Sequence, residues 1–461
     1  MASADLDQLR SAVDAGFDRA VGDLKDLVRI PSVSWAAYDR AHVRASAEAV
    51  RELVLGTGLF DDVAIEQVDD EQGREGQPAV LARREARGGA PTVLLYAHHD
   101  VQPWGDESLW RTPPFEPTEI GERLYGRGAS DDKAGVMTHV AALRALAETT
   151  PDPDLGIVLF VEGEEEFGSR SFGRFLQTHA DTLAADVIVV ADSDNWSTEV
   201  PSLTVALRGN VTFRLGVRTL DHASHSGMYG GAVPDAMLAT IRLLDTLWTA
   251  DGTVAVAGLT SHDAPTPERS EEQLRDEAAL LEGVHLLGSG SVLSRTWFQP
   301  SITITGMDAP SVADASNTLL PEVAVRLSAR IAPGQTAQSA FEALRTHLEA
   351  HAPFGAHLDI SDVDLGDPFL VDVDGWAAGE AQAAMAEAWG AEPVLQGVGG
   401  SIPFIAQLVE QFPEAQILVT GVEDPETMAH SPNESQHLGV LRKAILAEAA
   451  LLARANARSV E

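Results

Sequence analysis

The sequence predicts an α/β fold: a mostly parallel sheet with helices on both faces, interrupted by an inserted α+β domain. Three observations predict it. Strand-like and helix-like patterns alternate up to about Val205, the texture of βαβ units. Near Leu207-Arg208-Gly209 the texture changes to alternating, half-exposed strands with one or two helices, which suits a small antiparallel sheet. After Asp367-Pro368 the α/β texture returns. A chain of 461 residues also exceeds one ordinary core. The reading therefore divides the chain into 1–206 and 367–461, the two parts of the main domain, and 207–366, the insertion.

Each element has its own signal. Leu6, Leu9, Val13, Phe17, Val21, Leu24 and Leu27 recur at three- and four-residue steps, an amphipathic helix that Ile30-Pro31 ends. A second helix is expected over 41–55 and a third over 136–147. The apolar runs 92–97, 156–161, 186–191 and 415–420 read as buried strands. In the insertion, 211–217, 301–305 and 323–331 alternate as strands do, and 337–350 reads as a helix. Residues 260–273 are polar, carry two prolines and read as a surface excursion. A last helix pattern covers 376–389.

Composition excludes several functions. The formal net charge of −38 opposes binding to nucleic acid and to an anionic membrane. No run approaches the length of a membrane span, and the start Met1-Ala2-Ser3-Ala4-Asp5 lacks the features of a signal peptide. With no cysteine, a metal must be held by histidine and carboxylate, which favours zinc, manganese or cobalt. A cysteine-free chain fits the cytoplasm. Lysine occurs only at Lys25, Lys133 and Lys443, so Lys133 stands out inside an Asp-Asp-Lys loop.

Acidic and histidine residues gather just past the four buried-type runs. His98 and Asp100 follow the first, Glu165 and Glu166 the second, Asp192 the third, and His430 stands a loop beyond the fourth. The loop Gly126-Arg127-Gly128-Ala129-Ser130-Asp131-Asp132-Lys133 adds two more carboxylates. Open α/β sheets bind ligands beyond the carboxyl ends of their strands. This set reads as a two-metal hydrolytic site. Asp131 or Asp132 suits a ligand shared by both ions. Of the adjacent Glu165 and Glu166, one would bind metal and the other would take a proton from water. His99 alternates to the opposite strand face and reads as structural. Asp194 competes with Asp192 for the place past the third run.

A set of motifs carries a family resemblance. They are Tyr96-Ala97-His98-His99-Asp100-Val101-Gln102-Pro103, Leu124-Tyr125-Gly126-Arg127-Gly128 through Asp131-Asp132-Lys133, and Glu162-Gly163-Glu164-Glu165-Glu166-Phe167-Gly168-Ser169. Further on come Leu207-Arg208-Gly209, His225-Ser226-Gly227, Gly399-Gly400-Ser401-Ile402-Pro403 and Ala429-His430-Ser431. In this order they resemble the dizinc metallopeptidases that include carnosinase-type dipeptidases, aminoacylases and acetylornithine deacetylases, with the dipeptidase branch most similar.

The resemblance implies roles for individual positions. His98, Asp131, Glu166, Asp192 and His430 would hold two divalent ions, zinc foremost with manganese or cobalt possible, and Asp131 would be shared between them. Asp100 would orient His98, and Glu165 would be the general base. The inserted domain would act as lid and dimerisation domain. Its His225 would serve the partner subunit's site in a homodimer. Asn317, Arg330 and Ser401 would contact the substrate, Arg330 and Ser401 through its carboxylate. The expected activity is cleavage of dipeptides or short peptides with a free C-terminal carboxylate. An N-acyl-amino-acid deacylase of the acetylornithine or succinyl-diaminopimelate type is the alternative. Two positions depart from the pattern: Gly397 stands where carnosinase-type members often carry Arg, and Ala134 replaces Gly after Lys133.

Overall fold

The computed structural model describes residues 3–262, 266–371, 373–399 and 403–458. The chain divides into two compact units. One comprises Met1–Val205, Val371–Gln396 and Gln407–Glu461, the other Ala206–Leu370 with Gly397–Ala406.

The first unit is built on a twisted sheet in the order Val63–Glu66, Ala79–Arg84, Gly156–Glu162, Thr92–His98, Val187–Ala191, Gln416–Thr420, Ser202–Leu207. Its centre is parallel: Thr92–His98 pairs in parallel with both Gly156–Glu162 and Val187–Ala191, and Gln416–Thr420 continues the parallel order. The flanking pairs are antiparallel. This is the mostly parallel α/β sheet expected from the sequence. Thr92–His98, Gly156–Glu162 and Val187–Ala191 are buried at every position, as strands covered on both faces must be. That is why these runs are continuously apolar rather than alternating. Helices Ser3–Val28, Lys133–Thr149, Trp376–Trp389 and Leu438–Asn456 share one core with the sheet through Leu24, Leu27, Met137, Val140, Leu143 and Leu452. Elsewhere in this unit Tyr96, Phe160, Phe172 and Phe175 form a ring cluster.

The parallel register has a direct consequence. Strands running the same way end on the same side, and His98 lies level with Glu162. The residues that follow each strand therefore emerge along one edge of the sheet.

The second unit has a four-stranded antiparallel sheet in the order Ser301–Asp308, Glu322–Ile331, Gly209–Arg218, His357–Gly366. Val211, Phe213, Leu215 and Val217 alternate inward along one strand and pack with Leu243 of helix Ala236–Asp245 and Leu344 and Leu348 of helix Ala337–His351. The polar excursion after residue 260 ends in a short helix, Glu271–Glu277, that periodicity did not reveal. Ser270 and Gln273 form its capping box. Among the described residues, no helix is long and apolar enough to cross a membrane.

Candidate active site

Loops beyond the parallel strands, with the turn before helix Lys133–Thr149, bring the predicted carboxylates and histidines of the first unit together. His98 is the last residue of its strand and is fully buried. Asp131 and Asp132 precede helix Lys133–Thr149, joined by a cis peptide bond. Glu165 and Glu166 open a single 3-10 turn that Gly168 ends in the left-handed region, φ 83°. His430 also takes a positive φ, 61°, in the loop beyond Gln416–Thr420.

Asp131 lies between the two histidines. Its Oδ1 is 3.2 Å from His98 Nε2, and its Oδ2 is 3.0 Å from His430 Nε2. Glu166 Oε2 is 3.2 Å from His430 Nε2, and Asp192 Oδ1 is 3.8 Å from His98 Nε2. Glu165 Oε2 stands 3.9 Å from His98 Nε2. Two groups of donor atoms result, each within 4.8 Å: His98 with Asp132 and Asp192, and Asp131 with Glu166 and His430. Asp194 is turned elsewhere; its Oδ1 accepts from Gln396 Nε2 at 2.6 Å.

Asp100 ties this edge together. It is fully buried. Its Oδ1 lies 3.3 Å from His98 Nδ1 and accepts from Glu165 N at 3.1 Å. Its Oδ2 accepts from Ser34 Oγ at 2.7 Å and from Glu166 N at 3.1 Å. One carboxylate thus fixes both a histidine ring and the backbone of the glutamate turn. His99 points away and engages Pro78 O through Nε2 at 2.9 Å.

The donor set fits divalent cations. Buried His98 Nε2 is in hydrogen-bonding geometry with no described partner, although carboxylate oxygens surround it. Burial opposes charge on His98, yet Asp100, Asp131 and Asp192 hold its ring well above the usual imidazole range. Burial pushes the Glu165 carboxyl up to about 7, opposed by His98 and reinforced by Asp100 and Asp131. Burial and Asp131 push Glu166 up to about 8. A largely buried cluster with this excess of carboxylates, open to solvent at His430, favours a cation among them.

Some participants gave no periodic signal. Gln102 grips Glu166 twice, its N donating to Oε1 at 3.1 Å and its Nε2 to Oε2 at 2.7 Å. Its place two residues past Asp100 was the available hint. Gly135 lets Asp132 approach, since a Cβ there would meet Asp132 Oδ1 at 2.0 Å and Ala191 O at 2.4 Å.

The remaining predicted residues belong to the second unit. His225 is exposed, and its Nδ1 accepts from Gly227 N at 3.0 Å. Asn317 is exposed, and its main-chain carbonyl accepts from Ser226 N at 2.9 Å. Arg330 lies opposite Ser301 in the sheet register. Arg208 is near enough that burial and the Arg330 charge lower its guanidinium to about 10. Arg208 Nε donates to Gly399 O at 3.2 Å, and its NH1 to Ser301 Oγ at 3.2 Å. Ser401 lies outside the described residues.

The sequence profile of Peptidase family M20/M25/M40 matches residues 94–454. The chain belongs to this family. It is 34% identical over 378 residues to a cysteinylglycine-S-conjugate dipeptidase of Corynebacterium striatum, covering 81% of this chain and 83% of that protein. A Cys-Gly metallodipeptidase of Schizosaccharomyces pombe is 27% identical over 463 residues, covering 95% and 96%. The crystal structure of human carnosine dipeptidase 1 shares the fold, with a TM-score of 0.76 at 24% identity over 98% of this chain and 99% of that one. The chain is thus a peptidase-family hydrolase of the dipeptidase branch.

Proposed function

We propose that this protein is a two-metal dipeptidase acting on short peptides with a free C-terminal carboxylate. The observation that carries the reading is the Asp131 carboxylate, with one oxygen toward His98 and the other toward His430. A carboxylate so placed can serve as a ligand shared by two cations. His98 and Asp192 would complete one cation site, and Glu166 and His430 the other. Zinc suits the all-histidine-and-carboxylate donor set, with manganese and cobalt the next choices. Bound there, two divalent cations supply Lewis acidity toward water and toward the scissile carbonyl.

The protein's own groups do the rest. Glu165, anchored through its N–H to Asp100, holds a carboxylate beside the site without lying between the two histidines. It takes the proton of the attacking water and delivers it to the departing amine. Asp100 keeps His98 Nε2 aimed into the site by engaging Nδ1. Arg330 receives the substrate carboxylate, a role supported by the second guanidinium of Arg208 nearby. Asn317 and Ser401 add contacts to the substrate.

The second unit would serve as lid and dimerisation domain, with His225 completing the partner subunit's site. Exposed apolar side chains support a homodimer: Met228 and Tyr229 follow His225, Leu238 and Ile241 lie three apart on one helix, and Val312 is 97% exposed. The named dipeptidase relatives favour this function over the deacylase alternative. A substrate panel tests it. Metal-reconstituted protein should hydrolyse Cys-Gly and β-Ala-His and leave N-acetyl- and N-succinyl-amino acids intact. The opposite preference would overturn the reading.

A further inference from the structure

Glu434 takes no part in the chemistry above, yet it is fully buried four residues past His430. Both of its carboxylate oxygens are committed. Oε1 accepts from Ser130 N and from Asp131 N, each at 3.1 Å. Oε2 accepts from Arg127 NH1 at 2.6 Å. Its main-chain carbonyl accepts from Gly126 N at 3.1 Å. Arg127 is itself buried. Its NH2 reaches back to Ser431 O at 3.3 Å, and its guanidinium lies 5.3 Å from the Trp110 ring centroid.

These bonds join two segments separated by about 300 residues, the one carrying Asp131 and the one carrying His430. A neighbouring bond reinforces the joint, Ser130 Oγ donating to Gln436 Oε1 at 2.8 Å. The chemistry asks for a carboxylate. Three donors converge on Glu434, two amides and a guanidinium, and an ionised carboxylate accepts from all of them. A glutamine would turn an NH2 group toward one of the donors. A buried ion pair is by itself weak evidence for any role beyond the fold. What distinguishes this one is that its other oxygen, Oε1, accepts from the N–H of Asp131 itself, so a shift of Glu434 moves the carboxylate between the two histidines.

We propose that Glu434, held by Arg127, is a positioning residue that locks Asp131 and the His430 loop into one rigid frame and so sets the affinity of the paired cation sites. The proposal rests on the two-metal reading and assigns Glu434 no contact with metal or substrate. Outer partners of metal ligands typically govern affinity by about 10–100-fold.

The test uses the full chain freed of metal, titrated with Co²⁺ by visible absorption and with Zn²⁺ against a competing chelator. The wild-type protein is titrated first; failure to take up two ions would sink the two-metal reading itself. Given two ions in the wild type, Glu434→Gln should bind both more weakly, by about tenfold or more, with an altered Co²⁺ spectrum. Glu426→Gln makes the same charge change at an 83% exposed position and should leave both affinities unchanged. Wild-type affinities and spectrum in folded Glu434→Gln would overturn the proposal, as would an equal loss in Glu426→Gln. Should Glu434→Gln not fold, Arg127→Lys decides by the same titration. It keeps the charge but loses the forked geometry, and weaker binding supports the proposal while unchanged binding overturns it.

Discussion

Asp100→Asn is the substitution whose outcome the geometry constrains most. It keeps size and shape but exchanges one acceptor oxygen for an NH2 group. With the amide nitrogen at the Oδ1 position, it would face the N–H of Glu165 and the His98 ring nitrogen. At the Oδ2 position it would face Ser34, whose hydroxyl can rotate and accept, and the N–H of Glu166, which cannot. The second orientation is cheaper, and it leaves one buried N–H unpaired and removes a charge. Such a loss costs about 1–3 kcal/mol, more where the lost acceptor was ionised, so about 2–4 kcal/mol is expected for the metal-free fold. His98 also loses its orienting anion, which should weaken metal binding by about 10–100-fold. Urea unfolding of metal-free protein measures the first effect, and chelator competition the second. Unchanged stability together with unchanged metal affinity would refute the claim that Asp100 organises this edge of the sheet.

Three further outcomes are expected. Glu165→Gln should retain both metals while kcat falls by about 10²–10⁴-fold, whereas Glu166→Gln should lose affinity for one metal; exchanged phenotypes in a metal assay would reverse the two roles. If His225 completes the partner subunit's site as proposed, mixing inactive Glu165→Gln subunits with inactive His225→Ala subunits should restore activity, because one site of a mixed dimer would hold both residues intact; demonstrated exchange without recovery would exclude a shared site. His139 Nδ1 lies 2.9 Å from both oxygens of Glu448, and although burial opposes its charge, Glu448 and Tyr96 O raise its pKa. That stabilisation is full below the unfolded value of about 6.5 and is lost as pH rises through the higher folded value. The urea-midpoint gap between wild type and His139→Gln should therefore narrow from pH 6 to pH 9, and a widening gap would contradict the assignment.

How much the sequence disclosed depended on the range of the interaction. The buried strands were legible because continuous apolar runs are what a covered parallel strand requires, and their ends located His98, Glu165 and Asp192 without reference to tertiary structure. The preference for Asp192 over Asp194 came from counting back from Pro201 and the Leu207-Arg208-Gly209 motif of the resemblance; Asp192 Oδ1 lies 3.8 Å from His98 Nε2, and Gln396 engages Asp194. What stayed hidden were polar contacts between distant segments. Glu434 reaching the N–H of Asp131 leaves no periodic trace, because a buried carboxylate in an irregular loop looks like any acidic loop residue. Gln102 on Glu166 and the nearness of Arg208 to Arg330 were hidden for the same reason. The helix Glu271–Glu277 was obscured because its polar residues show no apolar stripe; its Ser270–Gln273 capping box was the only cue.

The proposed function requires two cations held about Asp131. The measurement that tests it most directly is the rate of Cys-Gly hydrolysis by metal-free protein as zinc is added in known equivalents. Hydrolysis should be negligible without metal and rise to a plateau at two equivalents per chain. A plateau at one equivalent, or full activity in rigorously metal-free protein, would contradict it.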